Sequence, residues 1–190
     1  FYPATLPLQY ADLILSVLKL DEADLEKRSL QRDTKIHERS NNVTLFNPML
    51  FIRNCKALLK LEKDPYALSV ALMGLTGRRP IEILRTGKFG PSRGHSLRFS
   101  GQAKTKNSVD AQRSYVIPVL APPHQLISAL GLVRKMLPIS SRENEQISSS
   151  YSHQLLSRVR RFQHRLLPNQ NITLNCRSLR GLYVTTAYEL

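Results

Sequence analysis

One segment limits the fold more than any other. Residues 66–75, Tyr-Ala-Leu-Ser-Val-Ala-Leu-Met-Gly-Leu, are almost wholly apolar and follow Asp64-Pro65. Asp before Pro is a helix-start signal: the carboxylate caps free backbone N–H groups, and proline tolerates the first turn because its missing N–H is not needed there. A helix that is apolar on every side has no face for water, so other elements must enclose it. A chain of 190 residues is long enough to build that enclosure.

The flanking sequence supplies the enclosing elements. Asn47-Pro48 repeats the cap signal and opens a helix to about Leu61, with Leu50, Phe51, Cys55, Leu58 and Leu59 inward. Gly77 closes the apolar helix, and Arg79-Pro80 starts a short one over 81–85. Two β-prone runs, 96–99 and 115–119, predict an antiparallel hairpin pair, and Gly87, Gly90 and Gly94 read as turn glycines. Pro122-Pro123 introduces an amphipathic helix over 124–136. The Ser-, Asn- and Glu-rich stretch 139–152 reads as a loop. Residues 154–167 return to helix, and Asn175 caps a last helix from Cys176. With no βαβ rhythm, the expected fold is mainly α with a small antiparallel β-sheet. Residues 1–46 read as a helical linker or appendage and 47–190 as the main domain.

Charge is distributed unevenly. Residues 71–190 hold eighteen Lys/Arg against five Asp/Glu, which is +13 of the chain's formal +14. Such a segment attracts polyanions, because each phosphate it neutralises releases condensed counterions. No apolar run approaches the roughly 18–20 residues that cross a bilayer, so no membrane partner is expected. The start, Phe1-Tyr2-Pro3-Ala4, has no secretory character, and the chain reads as a fragment. Cys55 and Cys176 are far apart in unlike contexts, which argues against a disulfide framework and fits a reducing cytoplasm. The histidines show no metal-ligand spacing, so no metal is expected.

The candidate chemistry is cationic. A phosphodiester resists attack because an anionic centre must take on more charge, and positioned cations relieve this. Arginine suits the task, being permanently charged and able to fork onto two oxygens. Arg79 sits at a helix start, with Glu82 one turn later able to hold its side chain. Arg177 and Arg180 share one face of the last helix, where an anion would resolve their repulsion. Lys104 and Lys106 lie between the two strands, where either ammonium could enter a minor groove or protonate a departing oxygen. Arg78 reads as a phosphate contact or a solvated side chain. Arg158, Arg160, Arg161 and Arg165 form a helix face suited to DNA backbone or to solvent.

Thr76-Gly77-Arg78-Arg79-Pro80-Ile81-Glu82, then Gln102-Ala103-Lys104-Thr105, then Arg177-Ser178-Leu179-Arg180 resembles, in order and spacing, the catalytic domain of tyrosine recombinases. The Thr-Gly-Arg-Arg-Pro wording and the basic Arg177, where histidine is commonest, are most similar to the telomere resolvases. The resemblance implies a DNA breaking-rejoining fold with Arg79, Lys104, Arg177 and Arg180 catalytic and Glu82 supporting Arg79, with Lys106 the alternative to Lys104 as the hairpin lysine; Arg78 and Lys106 are otherwise expected on DNA. It implies strand cleavage through a 3′-phosphotyrosyl link without ATP, metal or other cofactor, followed by rejoining into hairpin telomeres. It further implies a bacterial or phage-encoded cytoplasmic protein, dimeric on a palindromic telomere-junction or recombination site in double-stranded DNA. The family carries its tyrosine well beyond the second arginine, whereas this chain stops ten residues after Arg180. The expectation is a C-terminally incomplete domain that supplies the Arg/Lys cluster but not the nucleophile, with Tyr183 and Tyr188 in packing roles. A site-specific integrase and a catalytically incomplete DNA-binding module are the alternatives.

Overall fold

The computed structural model describes residues 26–31, 33–34, 45–61, 63–103, 113–137, 139, 144–168, 170 and 172–189. The chain divides into two compact units, Phe1–Leu45 and Phe46–Leu190. In the first, residues 26–31 and 33–34 are helical. The second contains, in order, α1 (Pro48–Leu58), α2 (Pro65–Thr76), a π-helical turn (Glu82–Thr86), β1 (Lys88–Pro91), β2 (Ser96–Ser100), β3 (Tyr115–Pro118), α3 (Pro123–Met136), α4 (Asn144–Leu166) and α5 (Cys176–Glu189).

The apolar segment is the axis of the unit. Every residue of α2 from Ala67 to Thr76 is buried, and the helix packs against α1, α3, α4 and α5. The serine and threonine of this helix are satisfied within it: Ser69 Oγ donates to Pro65 O at 2.7 Å and Thr76 Oγ1 to Leu72 O at 2.6 Å. Asp64 Oδ1 accepts from Tyr66 N and Ala67 N at 3.0 and 3.1 Å, as its cap position requires. The three strands form one antiparallel sheet in the order β1-β2-β3, with Phe89 opposite Phe99 and Phe99 opposite Tyr115.

Three elements differ from the sequence reading. Strand β1 occupies a Gly- and Pro-containing stretch read as turn; it is an edge strand, where such residues are tolerated because only one side must pair. Helix α4 begins at Asn144, so part of the predicted loop is helical. Ile147 is fully buried and Tyr151 and Leu155 follow at intervals of four, so one apolar stripe docks the polar N-terminal turns. The predicted short helix over 81–85 closes instead with an i→i+5 bond, Gly87 N to Glu82 O at 2.8 Å. Among the described residues no helix is long and apolar enough to cross a membrane.

Candidate active site

The site begins where α2 ends. Gly77 adopts a left-handed conformation (φ 66°), and a Cβ there would collide with the Tyr183 ring, so only glycine permits this turn beneath α5. The turn exposes the Gly77 carbonyl, which accepts from Arg180 Nε at 2.9 Å. The next residues, Arg78 and Arg79, diverge. Arg78 turns into the sheet: Nη1 donates to Tyr115 Oη at 2.9 Å, Nε to Thr76 O at 3.2 Å, and its guanidinium lies 4.7 Å from the centre of the Phe99 ring. Tyr115 Oη in turn donates to Gln102 Oε1 at 3.3 Å.

Arg79 turns the other way, onto Glu82. Glu82 is 1% exposed, and its carboxylate accepts from Arg79 Nη1 and Arg79 N at 2.9 Å each and from Ala103 N at 3.2 Å. One buried acid therefore fixes the arginine side chain, the turn that bears it, and the end of the sheet. Gly101 (φ 83°) reinforces this junction, because a Cβ there would strike Thr86 O while Thr86 Oγ1 donates to Gly101 O at 2.7 Å. Lys104 and Lys106 lie outside the described residues.

Arg134 of α3 holds the same turn from behind. Its Nε donates to Ile83 O at 3.1 Å, and Nη2 donates to Glu82 O at 3.0 Å and to Gly87 O. A π-turn leaves carbonyls misaligned with the helix ladder, and this guanidinium bonds to two of them and to the Gly87 carbonyl just after the turn. Burial lowers the Arg134 pKa from the ordinary arginine value. The sequence reading did not include this residue; its only signal was an arginine near the end of an amphipathic helix.

The opposite wall is the start of α5. Asn175 Oδ1 accepts from Arg177 N and Ser178 N at 2.9 Å each, and Asn175 N donates to Ser178 Oγ at 3.3 Å. This reciprocal cap presents Arg177 outward in the first turn and Arg180 inward one turn later. Arg79, Arg177 and Arg180 line a single cleft of about 580 Å³ with an apolar floor that includes Leu84, Ile147 and Leu155. Burial, then repulsion from Arg79 and more weakly from Arg78 and Arg177, lowers the pKa of Arg180, with Glu82 opposing. Arginine remains charged through such a shift, so the cleft holds concentrated positive charge above a low-dielectric base.

The remaining candidates lie elsewhere. Arg158 Nε is paired with Asp64 Oδ2 at 2.8 Å, while Arg160, Arg161 and Arg165 are exposed on α4. Tyr183 is buried, donates its hydroxyl to Pro118 O at 2.7 Å, and has a pKa raised by that burial despite the opposing charge of Arg78. Tyr188 is 92% exposed. Cys176 lines the cleft, a position the sequence reading did not give it. Among the described residues no cluster of three or more His, Cys, Asp or Glu could hold a metal ion.

Comparison with known proteins agrees with this arrangement of elements. A family profile for the telomere resolvase ResT/TelK catalytic domain matches residues 42–190. The curated protelomerase of Yersinia phage PY54 is 26% identical over 157 residues, covering 78% of this chain. The chain spans 25% of that protein's length. A solved protelomerase covalently complexed with substrate DNA is 26% identical with a TM-score of 0.80, covering 92% of this chain and 58% of that one. The protelomerase TelK complexed with substrate DNA is similar in fold, with a TM-score of 0.73 at 19% identity, over 93% of this chain and 36% of that one. A profile that spans most of the chain, together with a fold shared with protelomerases, means that this chain belongs to the telomere resolvase ResT/TelK catalytic-domain family.

Proposed function

We propose that the unit Phe46–Leu190 is the phosphate-activating part of a telomere resolvase, and that the intact protein breaks and rejoins double-stranded DNA to leave hairpin telomeres. The observation that carries this reading is the convergence of Arg79, Arg177 and Arg180 on one cleft, with Arg79 fixed by a buried carboxylate. A tyrosine oxygen attacks phosphorus and loses its proton, the P–O5′ bond breaks, and a 3′-phosphotyrosyl link keeps the phosphodiester energy. Arg79 and Arg180 meet the non-bridging oxygens as their charge grows, and Arg177 adds a third cation at the rim. Lys104, reached through Ala103, gives its proton to the departing 5′-oxygen, or Lys106 does so in its place. A 5′-hydroxyl of the opposing strand then reverses the chemistry and closes the hairpin. Neither ATP nor a metal is needed, because bond energy is stored in the covalent link.

No tyrosine among the described residues lines the cleft, so in this reading the attacking tyrosine comes from outside them. The covalent protelomerase–DNA complex to which the chain is similar supports a covalent route. The partner is a palindromic junction in duplex DNA, bound by a dimer whose twofold axis matches that of the site. The setting is the bacterial cytoplasm, and the first unit serves as an appendage. The test is product formation: the intact protein, given a linear duplex containing the junction and a chelator but no ATP, should yield strands that snap back after denaturation. Products that remain separable strands would contradict telomere resolution, and products joined to a second duplex would indicate an integrase.

A further inference from the structure

A second group of cations lies apart from the cleft. The loop after α1 and the C-terminal half of α4 enclose a groove of about 590 Å³ lined by Lys60, Lys63, Arg161 and Arg165, with Phe162 against the core and Asp64 at its edge. It shares no lining residue with the cleft that holds Arg79. Asp64 does not neutralise it: Oδ1 caps α2 through two backbone N–H groups, and Oδ2 is taken by Arg158 Nε. Among the described residues the four lining cations have no carboxylate within ion-pair distance. All four are exposed, so the fold does not depend on their charges.

The banks of this groove are fixed relative to each other, because Asn54 of α1 donates from Nδ2 to the Arg165 carbonyl. Arg161 and Arg165 stand one turn apart on α4, a like-charge spacing that destabilises a helix unless an anion sits between them. Lys60 is also shared with a neighbouring hollow between α1 and α3 that carries Arg53 and Lys56, so the positive surface continues along α1. A compact anion would engage one or two of these groups. A line of cations across two elements suits an extended polyanion with regularly spaced charges.

We infer that this groove holds the sugar–phosphate backbone of duplex DNA as a second, non-catalytic phosphate site, remote from the reacting phosphate. The inference rests on the DNA reading above and adds Lys60 and Lys63, which sequence alone does not single out. These contacts position the duplex and carry no base readout, so they act equally on target and unrelated sequence.

The test is an equilibrium titration of the intact protein with duplex DNA between 50 and 200 mM salt, read by binding alone. For Lys60→Gln/Lys63→Gln and for Arg161→Gln/Arg165→Gln, the slope of log K against log salt should fall by about two. The affinity lost across that salt range should shrink about tenfold, on target and unrelated duplexes alike. Arg161→Lys/Arg165→Lys keeps the charges and should keep the slope, which separates charge loss from misfolding. An unchanged slope in both Gln pairs, or a loss confined to the target sequence, overturns the backbone assignment. Steep binding that depends on the groove, but without hairpin product, leaves the groove standing and defeats the proposed function. Hairpin product with an unchanged slope does the reverse.

Discussion

On the α2 side of the cleft the cationic side chain is held by the fold, whereas on the α5 side Arg177 extends from a capped first turn into solvent. Arg79 is clamped to Glu82, Glu82 to the end of the sheet through Ala103, and the π-turn to α3 through Arg134. Arg180 crosses between the two sides by donating to the Gly77 carbonyl. Among the described residues Arg177 makes its hydrogen bond through its backbone N–H, to the Asn175 cap. The difference separates two kinds of cation. A clamped guanidinium needs no reorganisation when charge develops on the phosphate, so its effect falls on the rate of the chemical step. A free one must lose side-chain freedom on contact, so its effect falls on binding.

The strongest challenge to this contrast is Arg180→Ala in the intact protein. Single-turnover cleavage should fall by about 10²–10³, the size expected for losing one preorganised donor, with duplex affinity changed far less. Glu82→Gln should follow, with cleavage down about tenfold to a hundredfold, because misplacing Arg79 by an ångström is sufficient. The same change leaves a buried cluster poorly matched and should lower stability by about 1–3 kcal/mol, measured by urea titration. Arg134→Ala strips three carbonyls of a partner and should destabilise by a similar about 1–3 kcal/mol, while Arg134→Lys recovers part of that loss. Arg177→Ala should be milder: stability within about 0.5 kcal/mol of the parent, and a salt slope for DNA binding smaller by about one. A rate loss for Arg177→Ala equal to that for Arg180→Ala would erase the distinction between the two walls.

The smallest expected effect concerns Cys176. Burial raises its thiol pKa, against a weaker lowering by its own backbone N–H, so at pH 8 less thiolate is present than in a free cysteine. Alkylation requires the thiolate and should therefore be slow at pH 8 and climb as pH rises beyond the ordinary thiol range. Bound duplex should slow it further, since Cys176 lines the cleft. Cys55 is fully buried, with its pKa raised by desolvation, and should react only after unfolding.

Much of the scaffold was legible because local rules decide it. The Asn47, Asp64 and Asn175 caps, the prolines after the first two, and the Gly77 stop are short-range features, and they place the turns that carry Arg79, Arg177 and Arg180. What sequence concealed was tertiary. Strand β1 exists because β2 offers it a partner, and the polar start of α4 is helical because Ile147 is buried. Whether an arginine is free or engaged is equally non-local. Arg78 and Arg79 are adjacent in sequence, yet one binds a tyrosine of β3 and the other a buried acid. Likewise Arg158 is paired with Asp64 of a different helix start, while Arg161, less than a turn further on, lines an open groove.

The most direct test of the central claim is the rate at which the intact protein becomes covalently attached to a nicked junction duplex, read as a denaturation-resistant protein–DNA band. The clamped cleft predicts that Arg79→Ala slows attachment by about 10²–10³ while duplex affinity stays within about tenfold. Attachment by Arg79→Ala at the parent rate would contradict it.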